Sequence, residues 1–180
     1  ELKGVIGEQY AAPQGRILMN PFKDVKTSAW YGSYVIDLYN DGIINGTSAT
    51  TYAPNDTLTW AAALKLLLVS HGDLKAADAT GADWSKNTIA KAAELGLVAA
   101  DLDGAKAISR LEFCQVAAKL NKLAESKTES KFTDCTDGYV MALVDAKVIS
   151  GMTETTFEPA ASLTRAQIAK ILYQLTLIEK

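Results

Sequence analysis

The chain has 180 residues, of which 48% are hydrophobic and 22% are charged, and its formal net charge is −3. This composition is ordinary for a folded globular protein, which argues against intrinsic disorder and against a coiled coil. The acidic balance argues against a broad nucleic-acid-binding surface. The sequence contains no run of eighteen apolar residues, so no membrane-spanning segment is predicted. An anionic partner would therefore have to meet a local cluster of cations.

The first segment, residues 1–19, contains Gly, Pro and Gln without a sustained apolar period. This pattern predicts a leader or an irregular docking segment rather than a regular element. The repeated part of the chain is expected to begin after it, near residue 20.

A first repeat is predicted over residues 20–72. It opens with a Phe-x-Asp motif, and the residues from Trp30 to about Asn40 have helical spacing. Gly42 lies where a glycine would end that helix. Turn-forming residues dominate the loop that follows, and a second helix is predicted after the N-cap residue Thr59.

The same order returns in a third repeat, residues 126–180. Gly46 and Leu58 in the first repeat are 12 residues apart, and so are Gly151 and Leu163 in the third. Agreement over this many positions is improbable by chance, so the repetition is taken as real.

A middle repeat, residues 73–125, is degenerate. Trp84 and Gly96 keep the spacing that Trp30 and Gly42 have in the first repeat. The loop that follows is shorter and lacks the aromatic residue and the proline found in the other two repeats. Each repeat is a helix-loop-helix unit too small to bury its own apolar face. Three of them together predict an all-α fold, a pseudo-threefold bundle with the second helix of each repeat at its centre.

The combination of motifs resembles the S-layer homology (SLH) domain in three tandem copies over about residues 20–178. The motifs are Phe22-x-Asp24-Val25, Trp30, Gly42-Ile43-Ile44-x-Gly46, Tyr52-x-Pro54 and Leu163-Thr164-Arg165-Ala166-Gln167. The resemblance implies an extracellular module that anchors secreted proteins to bacterial cell-wall polysaccharide. In many members the ligand is a secondary wall polymer with ketal-pyruvylated N-acetylmannosamine, whose carboxylate is the anionic group.

Two arginines are the first candidates for binding that carboxylate. Arg165 lies inside a predicted capping box, Thr164 to Gln167, and Arg110 lies inside another, Ser109 to Glu112. A cation in the first helical turn opposes the helix dipole, so another purpose is expected for it. A guanidinium can bind a carboxylate through two parallel hydrogen bonds. The structural alternative is an ion pair that braces neighbouring repeats.

The other candidates for polysaccharide binding follow from the resemblance. They are two tryptophans that would stack on sugar rings, two aspartates that would bind sugar hydroxyls or orient an arginine, and a Gly-Met pair at a groove wall: Trp30, Trp84, Asp24, Asp134, Gly151 and Met152. The structural alternatives are core packing for the tryptophans, helix capping for the aspartates, and a positive-φ turn for Gly151 and its counterpart Gly46.

The family's grooves pair the arginine of one repeat with the aromatic and acidic residues of the next. On this basis the Arg165 groove is ranked first, because Arg165 would face Asp24 and Trp30. Arg110 would face a third repeat that has Asp134 but no tryptophan, and the first repeat has Trp60 in place of the arginine.

The leading hypothesis is a non-catalytic wall-anchoring module whose partner is cell-wall polysaccharide, with other surface or S-layer proteins as further partners. The alternative is a protein–protein interaction module at the cell surface, favoured by the loss of an arginine and a tryptophan from two of the grooves. An enzyme is the weakest option, because the chain has one histidine and no metal-ligand cluster, and no cofactor is predicted. Cys114 and Cys135 could form a disulfide or remain two buried thiols.

Overall fold

Three of the helices begin at the capping residues that the sequence indicates. The Thr164 hydroxyl accepts a hydrogen bond from the Gln167 N–H (3.3 Å), and the Gln167 side chain accepts one from the Thr164 N–H (2.9 Å). Ser109 and Glu112 form the same reciprocal pair, with distances of 3.2 and 2.8 Å. Both predicted capping boxes are therefore present, and Thr59 caps the equivalent helix of the first repeat through its side chain alone.

The computed structural model describes residues 8–11 and 16–178. Within these residues the helices are α1 Gly32–Asn40, α2 Trp60–His71, α3 Trp84–Glu94, α4 Arg110–Leu120, α5 Gly138–Asp145 and α6 Arg165–Thr176. Two short strands, β1 Glu8–Ala11 and β2 Ile17–Asn20, precede the helices as an antiparallel pair. The predicted all-α class is confirmed. Among the described helices, none has the length and apolar character needed to cross a membrane.

Backbone hydrogen bonds join the repeats into a closed ring. The first residue of each second helix donates its N–H to a loop carbonyl of the next repeat: Trp60 to Lys106, Arg110 to Ala161, and Arg165 to Asp56, at 2.8 to 2.9 Å. The third of these bonds returns from the last repeat to the first. The buried side chains of Leu58, Ile108 and Leu163 come directly before the three caps. This repeated bonding pattern gives the bundle its pseudo-threefold arrangement.

The described part of the leader is more regular than predicted. Leu18 on β2 is buried with Ile36 of α1, and the Asn40 side chain bonds both the N–H and the C=O of Met19 (3.1 and 2.9 Å). These contacts fix β2 along α1. The expectation of an irregular segment is wrong for Glu8–Ala11 and Ile17–Asn20, and the remainder of residues 1–15 lies outside the described residues.

The first helix begins two residues later than expected. Trp30 lies in the turn before α1 and exposes 57% of its surface, so core packing does not account for it. Gly42 has the positive φ of 74° that the predicted helix stop requires. Cys114 and Cys135 are both buried free thiols, which resolves the open choice between a disulfide and two thiols.

Candidate functional site

The two arginines occupy equivalent places in the ring. The Arg110 guanidinium lies 4.7 Å from the centre of the Phe157 ring, and Arg165 lies 4.5 Å from the centre of the Tyr52 ring. Each Nη2 also donates to a loop carbonyl at 2.8 Å, of Ser150 for Arg110 and of Asn45 for Arg165. Each arginine therefore joins its own helix to the aromatic loop of the next repeat, in the order that the sequence predicted.

The two guanidinium groups differ in how completely they are bonded. The Nε of Arg165 donates to the Tyr52 carbonyl at 2.7 Å, whereas the Nε of Arg110 is buried without a hydrogen-bond partner among the described residues. Arg110 exposes only 7% of its surface, and this burial lowers its pKa, opposed by the charges of Cys114 and Glu158. A buried charge with an open donor is costly unless an anion compensates it.

Neither arginine forms the ion pair that was the structural alternative. The contacts between basic side chains and carboxylates within 4.0 Å among the described residues involve other side chains: Arg16, Lys91 and the His71 ring. The hydrogen-bond and ring partners of Arg110 and Arg165 are neutral carbonyls and aromatic rings, and neither guanidinium has a carboxylate within 4.0 Å among the described residues. This arrangement leaves both groups able to attract an anion.

The two aspartates hold the loops on which the arginines rest. The Asp24 carboxylate accepts hydrogen bonds from the N–H groups of Tyr52 and Ala53 (2.9 and 2.7 Å). Asp134 does the same for the N–H groups of Phe157 and Glu158, both at 2.8 Å, and these bonds lower its pKa. Neither aspartate caps a helix, so that alternative is wrong. They position the aromatic rings beneath the guanidinium groups.

The glycines of these loops are required for space and not for a positive φ. A Cβ on Gly151 would lie 2.5 Å from the Phe132 ring and 2.6 Å from the Thr156 carbonyl oxygen, and a Cβ on Gly46 would meet the equivalent groups of the first repeat. Neither glycine has a positive φ. The positive-φ expectation for both glycines is therefore wrong.

A groove beside Arg110 contains four of the predicted site residues. This Arg110 groove has a volume of about 220 Å³ and is lined by Trp30, Arg110, Val148, Ile149, Ser150, Gly151, Met152, Gln167, Lys170 and Ile171. Trp30 and Met152 project into solvent, with exposed fractions of 57% and 45%. The groove thus combines two cations with exposed apolar side chains that can contact a sugar ring.

The predicted grouping of the tryptophans needs correction. Trp30 lines the groove of Arg110 rather than lying with Arg165, so the groove contains side chains from all three repeats. Arg165 and Asp24 are not among its lining residues, and Trp84 lies on α3 with the Lys65 ammonium 5.2 Å from its ring centre. The ranking of the Arg165 groove depended on Asp24 and Trp30 together, and its Trp30 part no longer holds, whereas Asp24 does hold the loop beneath Arg165.

Lys170 and Gln167 are lining residues that the sequence analysis did not identify. Lys170 is the sixth residue after the cap of α6, and Lys65 has the same position after the cap of α2. The recurrence of lysine at the sixth position after the cap in two repeats was the signal available in the sequence. At this position the middle repeat has Gln115, whose side chain donates to the Asp137 carboxylate at 2.7 Å, so the lysine is not present in all three repeats.

Tyr52 gives the site a testable response to alkali. Burial raises the pKa of Tyr52 to about 12 from an ordinary value of 10.0, and the Arg165 charge partly opposes this rise. Because the pKa of Tyr52 is higher in the folded protein than in the unfolded chain, Tyr52 contributes fully to the unfolding free energy below pH 10. This contribution is lost as the pH rises to about 12. Between pH 9.5 and 11.5 the wild type should lose about 2 kcal/mol more unfolding free energy than Tyr52→Phe.

Urea unfolding of both proteins across this pH range measures the difference. Burial also raises the pKa of the Cys114 thiol to about 12. Cys114 is present in both proteins, so its effect on the unfolding free energy cancels in the comparison. Parallel stability curves for the two proteins would show that Tyr52 ionises as easily in the fold as in the unfolded chain.

Comparison with known proteins agrees with the repeat pattern. The S-layer homology domain model matches residues 21–64 and 133–169. The chain is 29% identical over 179 residues, 86% of its length, to an endoglucanase of Bacillus sp. (strain KSM-635), and spans 18% of that protein. It is 40% identical over 84 residues, 43% of its length, to the surface-layer 125 kDa protein of Lysinibacillus sphaericus, and spans 7% of it.

A third relative is the amylopullulanase of Thermoanaerobacterium thermosulfurigenes, 26% identical over 174 residues, which are 86% of this chain and 9% of that protein. The chain therefore spans less than a fifth of the length of each of these relatives. The two segments that match the family model lie within the first and third predicted repeats. S-layer homology domains are therefore present in the first and third repeats, as the motifs predicted, and the middle copy stays a prediction.

Proposed function

We propose that this chain is a non-catalytic module that binds anionic cell-wall polysaccharide through the Arg110 groove and acts outside the cell, at the bacterial surface. S-layer homology domains are surface-anchoring modules, and the chain resembles a surface-layer protein over part of its length. The observation that carries the proposal is the guanidinium of Arg110, which is buried with no acidic partner within 4.0 Å in residues 8–11 and 16–178 and lines a groove beside an exposed tryptophan.

The chemistry of the groove suits a sugar that bears a carboxylate. Arg110 and Lys170 supply positive charge, and charge-assisted hydrogen bonds contribute about 1.5–3 kcal/mol each. The exposed faces of Trp30 and Met152 provide apolar surface against which a sugar ring can pack. The groove volume of about 220 Å³ suits a single sugar unit better than a long segment of polymer.

The proposed ligand is the ketal-pyruvylated amino sugar that the family resemblance implies. Its carboxylate would bind at Arg110 and Lys170, while its ring would lie along Trp30. Gly151, Met152 and Ser150 would form the wall on the side of the third repeat. Asp134 would act behind Arg110, because it holds the loop that carries the Phe157 ring. Arg165, Asp24 and Trp84 would act at or behind the second arginine site, which lies outside this groove.

Binding to purified cell-wall sacculi tests the proposal. We expect strong binding to intact sacculi, weak binding after the secondary polymer is removed, and similarly weak binding after the pyruvate alone is removed. Binding that survives both treatments would contradict the proposal and would favour the protein–protein interaction module instead.

Trp30→Ala tests the position of the sugar ring. Because Trp30 is exposed, its loss should leave the unfolding free energy unchanged within about 0.5 kcal/mol. Affinity for the polysaccharide should fall about tenfold, as expected for the loss of about 1.4 kcal/mol of ring contact. Trp84→Ala is the comparison variant, since Trp84 is absent from the Arg110 groove, and it should lower the affinity less than Trp30→Ala does. An equal loss in both variants would place the ligand elsewhere.

A further inference from the structure

A second groove lies next to the Arg110 groove and contains three lysines. This lysine groove has a volume of about 300 Å³ and is lined by Lys131, Val144, Lys147, Val148, Ile149, Ser150, Lys170 and Gln174. It shares Val148, Ile149, Ser150 and Lys170 with the Arg110 groove. The two grooves are therefore neighbouring parts of one surface, with Lys170 common to both.

The three lysines have no acidic partner within 4.0 Å among the described residues. Lys131 and Lys147 are exposed and Lys170 is half-buried. The Lys131 ammonium does lie 5.2 Å from the centre of the Phe132 ring, a contact that leaves its charge in place. Three cations thus line one groove of a chain whose net charge is −3. The lysine groove is a local site of positive charge on an acidic protein, and such a site attracts anions.

Lys147 occupies a backbone position that favours glycine. Its φ is 59°, and the equivalent residues of the first and second repeats are Gly42 and Gly96, with φ of 74° and 70°. The backbone hydrogen bonds support this equivalence. In each repeat the residue that follows the left-handed position donates its N–H to a carbonyl in the last turn of the helix: Ile43 to Leu38, Leu97 to Ala92, and Val148 to Leu143. A side chain at a left-handed position is strained, so backbone geometry does not explain the choice of lysine.

The cluster is also specific to the third repeat. In the first repeat the equivalents of Lys131, Lys147 and Gln174 are Pro21, Gly42 and Val69, and Lys65 alone keeps its charge. The bundle therefore does not require these lysines, since the first repeat has the same helix and turn geometry without them.

We propose that the lysine groove is a second subsite, which binds a further anionic group of the polymer held in the Arg110 groove. This inference rests on the proposed function of Arg110. Lysine is a flexible point charge without the fixed fork of arginine, so the subsite takes either a carboxylate or a phosphate. Lys170 lines both grooves, so it would lie where the polymer passes from one groove to the other. The preferred ligand is therefore a polymer segment longer than one sugar.

Lys147→Gly restores the residue that the other repeats have and removes one charge from the groove. Lys122→Gly is the matched control, because Lys122 is also an exposed lysine with a left-handed φ of 56° but is not a lining residue. Calorimetric titrations with purified wall polymer should show affinity lowered roughly threefold by Lys147→Gly and roughly tenfold by Lys131→Ala combined with Lys147→Gly. Titrations with a single pyruvylated amino sugar should show no change in any of these variants.

Polymer affinity equal to wild type in the double variant, or an equal loss in Lys122→Gly, would overturn the second subsite. Arg110→Met separates this failure from that of the proposed function, because it should weaken binding of both the single sugar and the polymer. If Arg110→Met leaves both affinities intact, the proposed function itself fails.

The anionic group is identified with polymer whose phosphates have been removed, because this treatment leaves the carboxylate that Arg110 is proposed to bind. Loss of the affinity difference between wild type and Lys147→Gly after this treatment identifies a phosphate in the lysine groove. A difference that persists identifies a carboxylate.

Discussion

Replacing Arg110 with methionine is expected to reduce polysaccharide affinity roughly a hundredfold while leaving the unfolding free energy within about 1 kcal/mol of wild type. The loss of affinity follows from the charge-assisted bonds that Arg110 would make to the carboxylate. The stability follows from the fold, because Arg110 is 7% exposed and, in the part of the chain that the structure describes, it has no acidic partner and its buried Nε makes no hydrogen bond. Methionine removes this unsatisfied donor and retains contact with the Phe157 ring.

Arg165→Met is the matched control for this experiment. The Arg165 side chain donates from both Nε and Nη2 to loop carbonyls of the first repeat, so its loss should destabilise the fold by about 1–2 kcal/mol. Its effect on affinity should be smaller than that of Arg110→Met. Titration calorimetry and urea unfolding of both variants measure the two quantities. Strong binding by Arg110→Met together with lost binding by Arg165→Met would restore the ranking that the sequence favoured.

Gly151→Ala is expected to cause the largest loss of stability, about 3 kcal/mol in unfolding free energy. The added Cβ would meet the Phe132 ring and two backbone carbonyls, those of Thr153 and Thr156. Backbone atoms cannot move aside as the end of a flexible side chain can, so the loop that forms the groove wall would shift. Polysaccharide binding should weaken as a result.

Gly42→Ala distinguishes a glycine that is required for its positive φ from one, such as Gly151, that is required because a Cβ has no space. Gly42 has a φ of 74°, and a Cβ there would meet nothing within 4 Å. Its replacement should cost only about 1 kcal/mol, the usual penalty for a left-handed alanine. Equal losses for Gly42→Ala and Gly151→Ala in urea unfolding would show that crowding around Gly151 is unimportant.

The features predicted correctly from the sequence are those that short-range patterns determine. Helix caps depend on residues three positions apart, and the apolar faces of the helices depend on spacings within two turns, so Ser109 and Thr164 could be assigned as caps directly. The order of the ring also followed, because the same motif order recurs along the chain. The hairpin was missed because its strands have only four residues each, too few for a clear alternation.

The composition of the groove was harder to predict because it depends on three-dimensional placement. Trp30 reaches the groove of Arg110 only because the ring brings the turn before α1 beside α6. Asp24 bonds a loop 28 residues further along the chain, a separation at which no sequence pattern distinguishes a loop brace from a ligand contact. Whether the Nε of Arg110 finds an acceptor depends on where the carbonyl groups of the neighbouring loop lie, and no sequence motif specifies those positions.

The hydrogen bond from Arg165 to Asp56 has a consequence for how the protein acquires its structure. In an open solenoid each repeat contacts only its neighbours, so repeats can fold in succession as the chain emerges. Here the carbonyl groups of Pro54 and Asp56 find their donors in the last repeat, on Ala166 and Arg165. The first repeat cannot complete its bonding until the third is present. We therefore expect the repeats to gain or lose their structure together in one cooperative transition.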